Sequence, residues 1–326
     1  MDLWSYLIVP FAWIMQQCMN LLNNYALALI AYALITKIII FPLSMKQQKS
    51  QLNMVRLRPY QDALKKKYGN NQERYNQELQ KLYQREGINP MGSCLPLLIQ
   101  LPLILLIYNI VRHPLTYVHY NEVFTRNAAQ RVYELALQVK DSLGEAVVKV
   151  VDAIAAAPDT VSKISDYELQ IYNAASKADL VSIPGDKLFG IFSLSGTPSE
   201  DFWSWMLLIP ILAGVTGFIT SWFSQKLNAA TQDPSAAGST KMMTYMMPII
   251  SVFFCYSLNC ALGWYWIITN VLSIAQTYIL HKMYDPKKAL AEVEAKMEQE
   301  KAKKKEKRSA AAAKKAAAIA ASKKKK

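Results

Sequence analysis

Tyr25-Ala26-Leu27-Ala28-Leu29-Ile30-Ala31-Tyr32-Ala33-Leu34-Ile35-Thr36-Lys37-Ile38-Ile39-Ile40-Phe41-Pro42-Leu43 is a run of nineteen residues with one charge, Lys37. About 20 apolar residues are needed for a helix to cross a bilayer. Directly after it, Ser44-Met45-Lys46-Gln47-Gln48-Lys49 opens a polar, basic stretch that lasts to residue 92. A span feeding a water-facing segment is therefore the first unit of the chain, and later segments repeat the alternation. The composition carries the same message: 326 residues, 52% hydrophobic, with a net charge of +13. A water-soluble globule would mix these two extremes at short period, and a disordered chain would lack the apolar content.

Working outward, residues 1–24 are apolar but interrupted by Pro10, Gln16-Gln17 and Asn23-Asn24. Leu7, Phe11, Ile14, Met15, Cys18, Leu21 and Leu22 recur at helical spacing, which predicts an amphipathic helix lying in the membrane interface. The only early charge is Asp2, unlike a secretory signal, so no processing is expected. Residues 44–92 predict a helical hairpin, about 44–68 and 71–86, turning at Gly69-Asn70-Asn71. Residues 94–112 predict the second span and 113–202 a largely helical loop. Residues 203–223 predict the third span, with Trp203, Trp205 and Trp222 as interfacial anchors. The fourth and fifth spans are placed at 242–258 and 263–281, after a loop at 224–241. Residues 282–326 form a Lys/Ala-rich tail, helical at first and then disordered. The expected fold class is thus an all-α polytopic membrane protein with five transmembrane helices, a basic hairpin and an interfacial N-terminal helix.

Charge assigns the sides. The hairpin has ten basic against four acidic residues, +6, and the tail sixteen against six, +10. The loop 113–202 has seven against twelve, −5, whereas 223–242 stands at +1. Basic residues mark the cytoplasmic side. The expectation is a plasma-membrane protein with its N-terminus outside, its C-terminus in the cytoplasm and 113–202 external.

Lys37 is the most informative residue. An ammonium inside a span costs about 2.5–3.5 kcal/mol. It precedes Ser44 by seven residues, roughly 10 Å along a helix. A lysine side chain spans about half of that, so snorkelling alone does not solve its solvation. A hydrated cavity does. Gln100, Asn270, Ser273 and Gln276 are further polar groups inside spans; lining a cavity and bonding between helices are both open to them. Thr36 and Gln225 are weaker candidates. Met243, Met246 and Met247, with Trp266, are candidate contacts for apolar substrates, and ordinary packing explains them equally well. Cys18, Cys94, Cys255 and Cys260 form no CxxC or Cys/His cluster, so no metal site or cofactor is expected. HExxH and GxxxxGK[ST] are both absent, and the chain does not read as an enzyme or an ATPase.

Three motifs then point to a family. Asn89-Pro90-Met91-Gly92-Ser93-Cys94-Leu95-Pro96-Leu97-Leu98-Ile99-Gln100-Leu101-Pro102 resembles the signature at the start of the second span of the YidC/Oxa/Alb membrane protein insertases. Lys241-Met242-Met243-Thr244-Tyr245-Met246-Met247-Pro248 and Gly263-Trp264-Tyr265-Trp266-Ile267-Ile268-Thr269-Asn270, followed by Ser273, Ile274 and Gln276, are similar to its fourth and fifth spans. The resemblance covers about 1–112 and 203–326 and is to the compact bacterial type without the large periplasmic domain. It does not explain 113–202.

The resemblance implies five helices around a hydrophilic groove, open to cytoplasm and lipid and closed outside. The positive charge of the groove, usually arginine, falls on Lys37, which keeps the charge and loses the bidentate fork. The implied function is an insertase and chaperone for nascent hydrophobic segments. The implied partners are nascent membrane proteins, the ribosome through the basic tail, anionic lipids and the Sec translocon, with no sequence-specific nucleic acid. A small-anion transporter, which would show paired repeats, and a ribosome-anchoring scaffold are the competing readings.

Overall fold

The computed structural model describes residues 3–87, 95–119, 126–200, 203–227 and 237–323. The chain divides into two units. One holds Met1–Ser44, Cys94–Lys226 and Ala237–Tyr278; the other holds Met45–Ser93, Leu227–Ala236 and Ile279–Lys326. The Asn89–Cys94 part of the second-span motif lies outside the described residues.

In the first unit, α1 (Leu3–Leu22) buries Ile8, Ala12, Met15, Cys18 and Met19 against α4 (Leu95–Arg112) and the π-helical turn Leu115–His119. Those positions recur every three or four residues and so share a face. The stripe differs from the one read in the sequence: Leu7 and Leu21 are exposed. A helix apolar on most sides leaves its partner, here α4, to choose the buried face. Asn23 ends α1 in the left-handed region, φ 44°, where asparagine is tolerated. Asn24 then caps α2 (Tyr25–Tyr68), its Oδ1 accepting from the Leu27 N–H at 3.0 Å. The helix itself does not end at residue 43; Pro42 and Pro59 both lie within it.

The described residues of 113–202 make a small helical domain. Helices α5 (Arg126–Gln138), α6 (Glu145–Ala156) and α7 (Glu168–Lys177) pack with the 3-10 stretch Pro158–Tyr167 around Val132, Val151, Ile154, Ile164 and Ile171. Glu168 is fully buried at the start of α7. Its two carboxylate oxygens accept from the Thr116 N–H at 2.7 Å and the Thr116 hydroxyl at 2.8 Å, tying the domain to the turn after α4. Burial pushes this carboxyl up from 4.5 to about 7, against the pull of the Thr116 donors.

The all-helical expectation needs one addition, an antiparallel pair of two-residue strands. In it β1 (Lys187–Leu188) pairs with β2 (Phe192–Ser193), Lys187 opposite Ser193 and Leu188 opposite Phe192. Buried Asp186 fixes the stem, accepting from the Ser195 N–H at 3.0 Å, the Ser195 hydroxyl at 2.8 Å and the Ser193 hydroxyl. Gly185, at φ 74°, lies so close to the Asn24 carboxamide that a Cβ would fall 2.3 Å from it.

Helices α8 (Leu208–Leu227), α9 (Ala237–Ser257) and α10 (Cys260–Met283) complete the apolar set. The outside of these helices is apolar. Leu34, Ile38 and Ile39 on α2, Ile211, Val215 and Phe218 on α8, and Ile249, Phe253 and Phe254 on α9 are all exposed. A water-soluble monomer does not display apolar area on this scale. Tyr25–Tyr68 and Trp205–Leu227 contain an apolar window long enough to cross a membrane; Leu7–Leu22, Pro102–Arg112 and Tyr245–Ser257 are shorter apolar stretches.

In the second unit α2 ends at the triple lysine Lys65-Lys66-Lys67, favourable at the negative end of a helix dipole. Gly69 sits where a Cβ would meet the Lys65 carbonyl oxygen at 2.6 Å. Asn71 caps α3 (Gln72–Arg85), accepting from the Arg74 N–H at 3.0 Å. The Gln61 amide donates to the Tyr83 hydroxyl at 3.1 Å across the hairpin. Helix α11 (Pro286–Lys323) continues through the second half of the tail, where disorder was expected. Alanine and lysine, which dominate there, have high helix propensity.

Candidate functional site

Lys37 lies on α2 between the buried face of Ala33 and Thr36 and the exposed Ile38 and Ile39. Its own side chain is half-buried. Lys37 Nζ donates to Ser273 Oγ of α10 at 2.7 Å. The Ser273 hydroxyl itself donates to the Thr269 carbonyl oxygen at 2.6 Å, one helical turn back. The serine hydroxyl is thereby oriented with a lone pair toward the ammonium. Among the described residues Lys37 makes no ion pair; the protein group that binds its ammonium is the Ser273 hydroxyl. Such a charge in an apolar bundle favours an anionic or strongly polar visitor.

Asn270 turns elsewhere. Its Nδ2 donates to Thr216 Oγ1 at 3.1 Å and the Ala213 carbonyl at 3.4 Å, both on α8. The Thr220 hydroxyl returns a bond to the Asn270 carbonyl at 3.1 Å. Gly217 of α8 faces this contact, and a Cβ there would lie 3.6 Å from Asn270 Nδ2, an ordinary van der Waals distance. Asn270 and Ser273 are three apart, and the sequence allows them one face. The structure divides them: the roughly 60° between their directions on a helix of 3.6 residues per turn is enough to reach two different helices.

Gln276, one turn beyond Ser273, is half-buried, as is Trp266, which packs on the bundle core. Met246 is exposed and Met247 half-buried. The side chains of Gln100 and Met243 lie outside the described set. Thr36, buried, bonds back to the carbonyls of Tyr32 and Ala33 at 2.9 and 3.0 Å. Cys18, Cys255 and Cys260 are buried free thiols. Sequence reasoning missed Thr216 and Thr220, the α8 partners of Asn270; two threonines four apart facing an asparagine-bearing span were the available signal.

The family model described as 60Kd inner membrane protein matches residues 17–289, across the helices that carry Lys37, Ser273 and Asn270. The chain belongs to this family. Membership agrees with the YidC/Oxa/Alb resemblance of the motifs, and the protein is a helical membrane protein. Among relatives, it is similar to the membrane protein insertase YidC of Chlorobium limicola, 28% identical over 279 residues. That match covers 85% of this chain and 36% of the relative. The membrane protein insertase YidC 1 of Halalkalibacterium halodurans is 27% identical over 281 residues, 85% of this chain and 77% of the relative. The YidC of Chloroherpeton thalassium is 26% identical over 305 residues, 92% of this chain and 41% of the relative. The chain therefore spans well under half of two of these family members and most of the third.

Proposed function

We propose that this family member is a membrane protein insertase, in which the uncompensated ammonium of Lys37, held by Ser273, receives the polar or acidic flank of an incoming hydrophobic segment. The observation that carries the reading is the 2.7 Å Lys37–Ser273 contact inside an apolar bundle, with no carboxylate partner among the described residues. In a partly desolvated site a charge interaction is stronger than in water. Gln276 and Gln100 extend the polar lining, Asn270 instead joins α10 to α8, and Met243, Met246, Met247 and Trp266 offer adaptable apolar surface. The visitor then leaves sideways into lipid, driven by about 0.8 kcal/mol per buried CH₂. No bond is made or broken; the work is lowering the barrier to moving polar flanks.

In this reading five spans, at the boundaries read from the sequence, surround a groove open to the cytoplasm and closed outside by the domain at 113–202. The basic hairpin and the tail, +6 and +10, lie on the cytoplasmic side in this reading. The tail is a phosphate-binding surface that reads no base sequence, suited to the ribosome and to anionic lipid headgroups. The Sec translocon is a further partner.

Photo-crosslinking from positions 37, 273 and 276 to a short, ribosome-stalled membrane protein tests the reading. Crosslinks from these positions, and none from exposed Lys163, are expected. Ribosome binding without a crosslink from any of the three would remove the groove from the mechanism.

A further inference from the structure

The β1–β2 hairpin ends in an aromatic residue that its turn does not call for. The Ile191 N–H donates to the Leu188 carbonyl at 3.0 Å, closing a turn whose central residues, Phe189 and Gly190, have φ of 52° and 73°. Positive φ at both positions favours Asn-Gly or Asp-Gly. A bulky side chain in the left-handed region is strained, and such strain persists where function supports it. Packing within the chain does not compensate: Phe189 is 80% exposed and Ile191 58% exposed. Their neighbours Leu188 and Phe192 face the core instead.

The stem is fixed to the ends of two apolar helices. At the start of α10, the Ala261 N–H donates to the Leu194 carbonyl at 2.6 Å and the Cys260 N–H to the Gly196 carbonyl at 2.8 Å. Strand β2 also packs on the turn Trp205–Leu207 that leads into α8, and a Cβ on Gly196 would meet Met206 Sδ at 2.6 Å. Trp203, 92% exposed, and Trp205 stand at this same end of α8, directly before its exposed apolar face begins.

We propose that Phe189 and Ile191, with Trp203 and Trp205, insert into the interfacial layer of the outer leaflet, so that the external domain is moored to lipid beside α8 and α10. Lipid is the occupant because the exposed residues stand on a hairpin whose strand β2 packs on the turn leading into the exposed apolar face of α8, and aromatic rings partition into the interfacial zone. Exposed Lys187, at the base of the tip, suits an anionic headgroup. The proposal rests on the reading that α8 crosses the bilayer.

The test uses the full chain in phosphatidylcholine–phosphatidylglycerol vesicles. A genetically encoded, environment-sensitive fluorescent amino acid replaces Phe189, Val215 on α8 or Lys163 on the external domain, one at a time. The expected result is blue-shifted emission at 189, quenched more by lipids brominated near the headgroup than by lipids brominated deep in the chain. Position 215 is quenched and position 163 is not. Quenching at 215 with none at 189 overturns the mooring while α8 still spans. No quenching at 215 overturns the span reading and the mooring with it. Phe189→Asn, which gives the turn its preferred Asn-Gly pair, keeps the fold intact. It is expected to weaken binding of the external domain to lipid, read as faster proteolysis within 178–202 in vesicles. Unchanged proteolysis, or a photo-crosslink from 189 to another protein and none to lipid, overturns the proposal.

Discussion

Lys37 and Ser273 lie 236 positions apart in the chain and meet at 2.7 Å, donor to acceptor, across α2 and α10. Among the described residues the ammonium is bound but not neutralised, and this decides how each partner responds to substitution.

Lys37→Arg should support growth of an insertase-depleted strain, because charge is retained. Lys37→Ala should lower insertion of a substrate with an acidic flank about tenfold, the effect of losing roughly 1.4 kcal/mol of attraction. Lys37→Glu should lose more, since the flank is then repelled. Equal insertion by all three variants would separate Lys37 from the mechanism.

Ser273 offers a sharper test, because stability and activity should move in opposite directions. Ser273→Asp would neutralise the ammonium with an ion pair; thermal unfolding in detergent should shift upward or stay level while insertion falls. Ser273→Ala removes a hydrogen bond to a charged group, worth about 1.5–3 kcal/mol, and should lower stability. A Ser273→Asp protein with full insertion activity would contradict the role given to the free charge.

Asn270→Ala should behave as a packing change. Losing its bonds to α8 should cost about 1 kcal/mol or less of stability. The preference for acidic over basic flanks should persist, and a lost preference in the insertion assay would return Asn270 to the site.

Lys37 was legible in the sequence because a lone charge in a nineteen-residue apolar run has few physical explanations. Its contact was not legible. Thr269, Asn270, Ser273 and Gln276 follow one another on α10, and helical period alone does not say which of them faces α2 and which faces α8. The family was legible from motifs in α4, α9 and α10, whose order along the chain is itself information. The β-hairpin at 187–193 was hidden because four paired residues are too few to show a period of two. The buried face of α1 was hidden because nearly every face of that helix is apolar.

Glu168 contributes a pH dependence of its own. Its folded value of about 7 lies above the ordinary 4.5, so the native state binds the extra proton between these limits. Stability from this group is therefore greatest at and below the lower limit. It falls as pH rises through the window, by about 3 kcal/mol at most. Glu168→Gln stays neutral, and its amide oxygen can still accept from Thr116. The variant should flatten the change in melting temperature between pH 5 and pH 8 and gain most at pH 8. A wild-type protein that grows more stable from pH 5 to pH 8 while the variant does not would reverse this assignment.

The two amides at the start of α10 have a consequence for protein engineering. Cys260 and Ala261 direct their N–H groups at Gly196 and Leu194, and Asn259 spends its Oδ1 on Leu262 and its Nδ2 on the Val111 carbonyl. The first turn of this helix is thus completed by backbone belonging to the domain at 113–202 and to α4. A chimera that exchanges 113–202 for a shorter loop from another family member must supply two new carbonyl acceptors at that point. Without them α10 begins with unpaired donors, and the domain that looks like an insertion proves to be a splice.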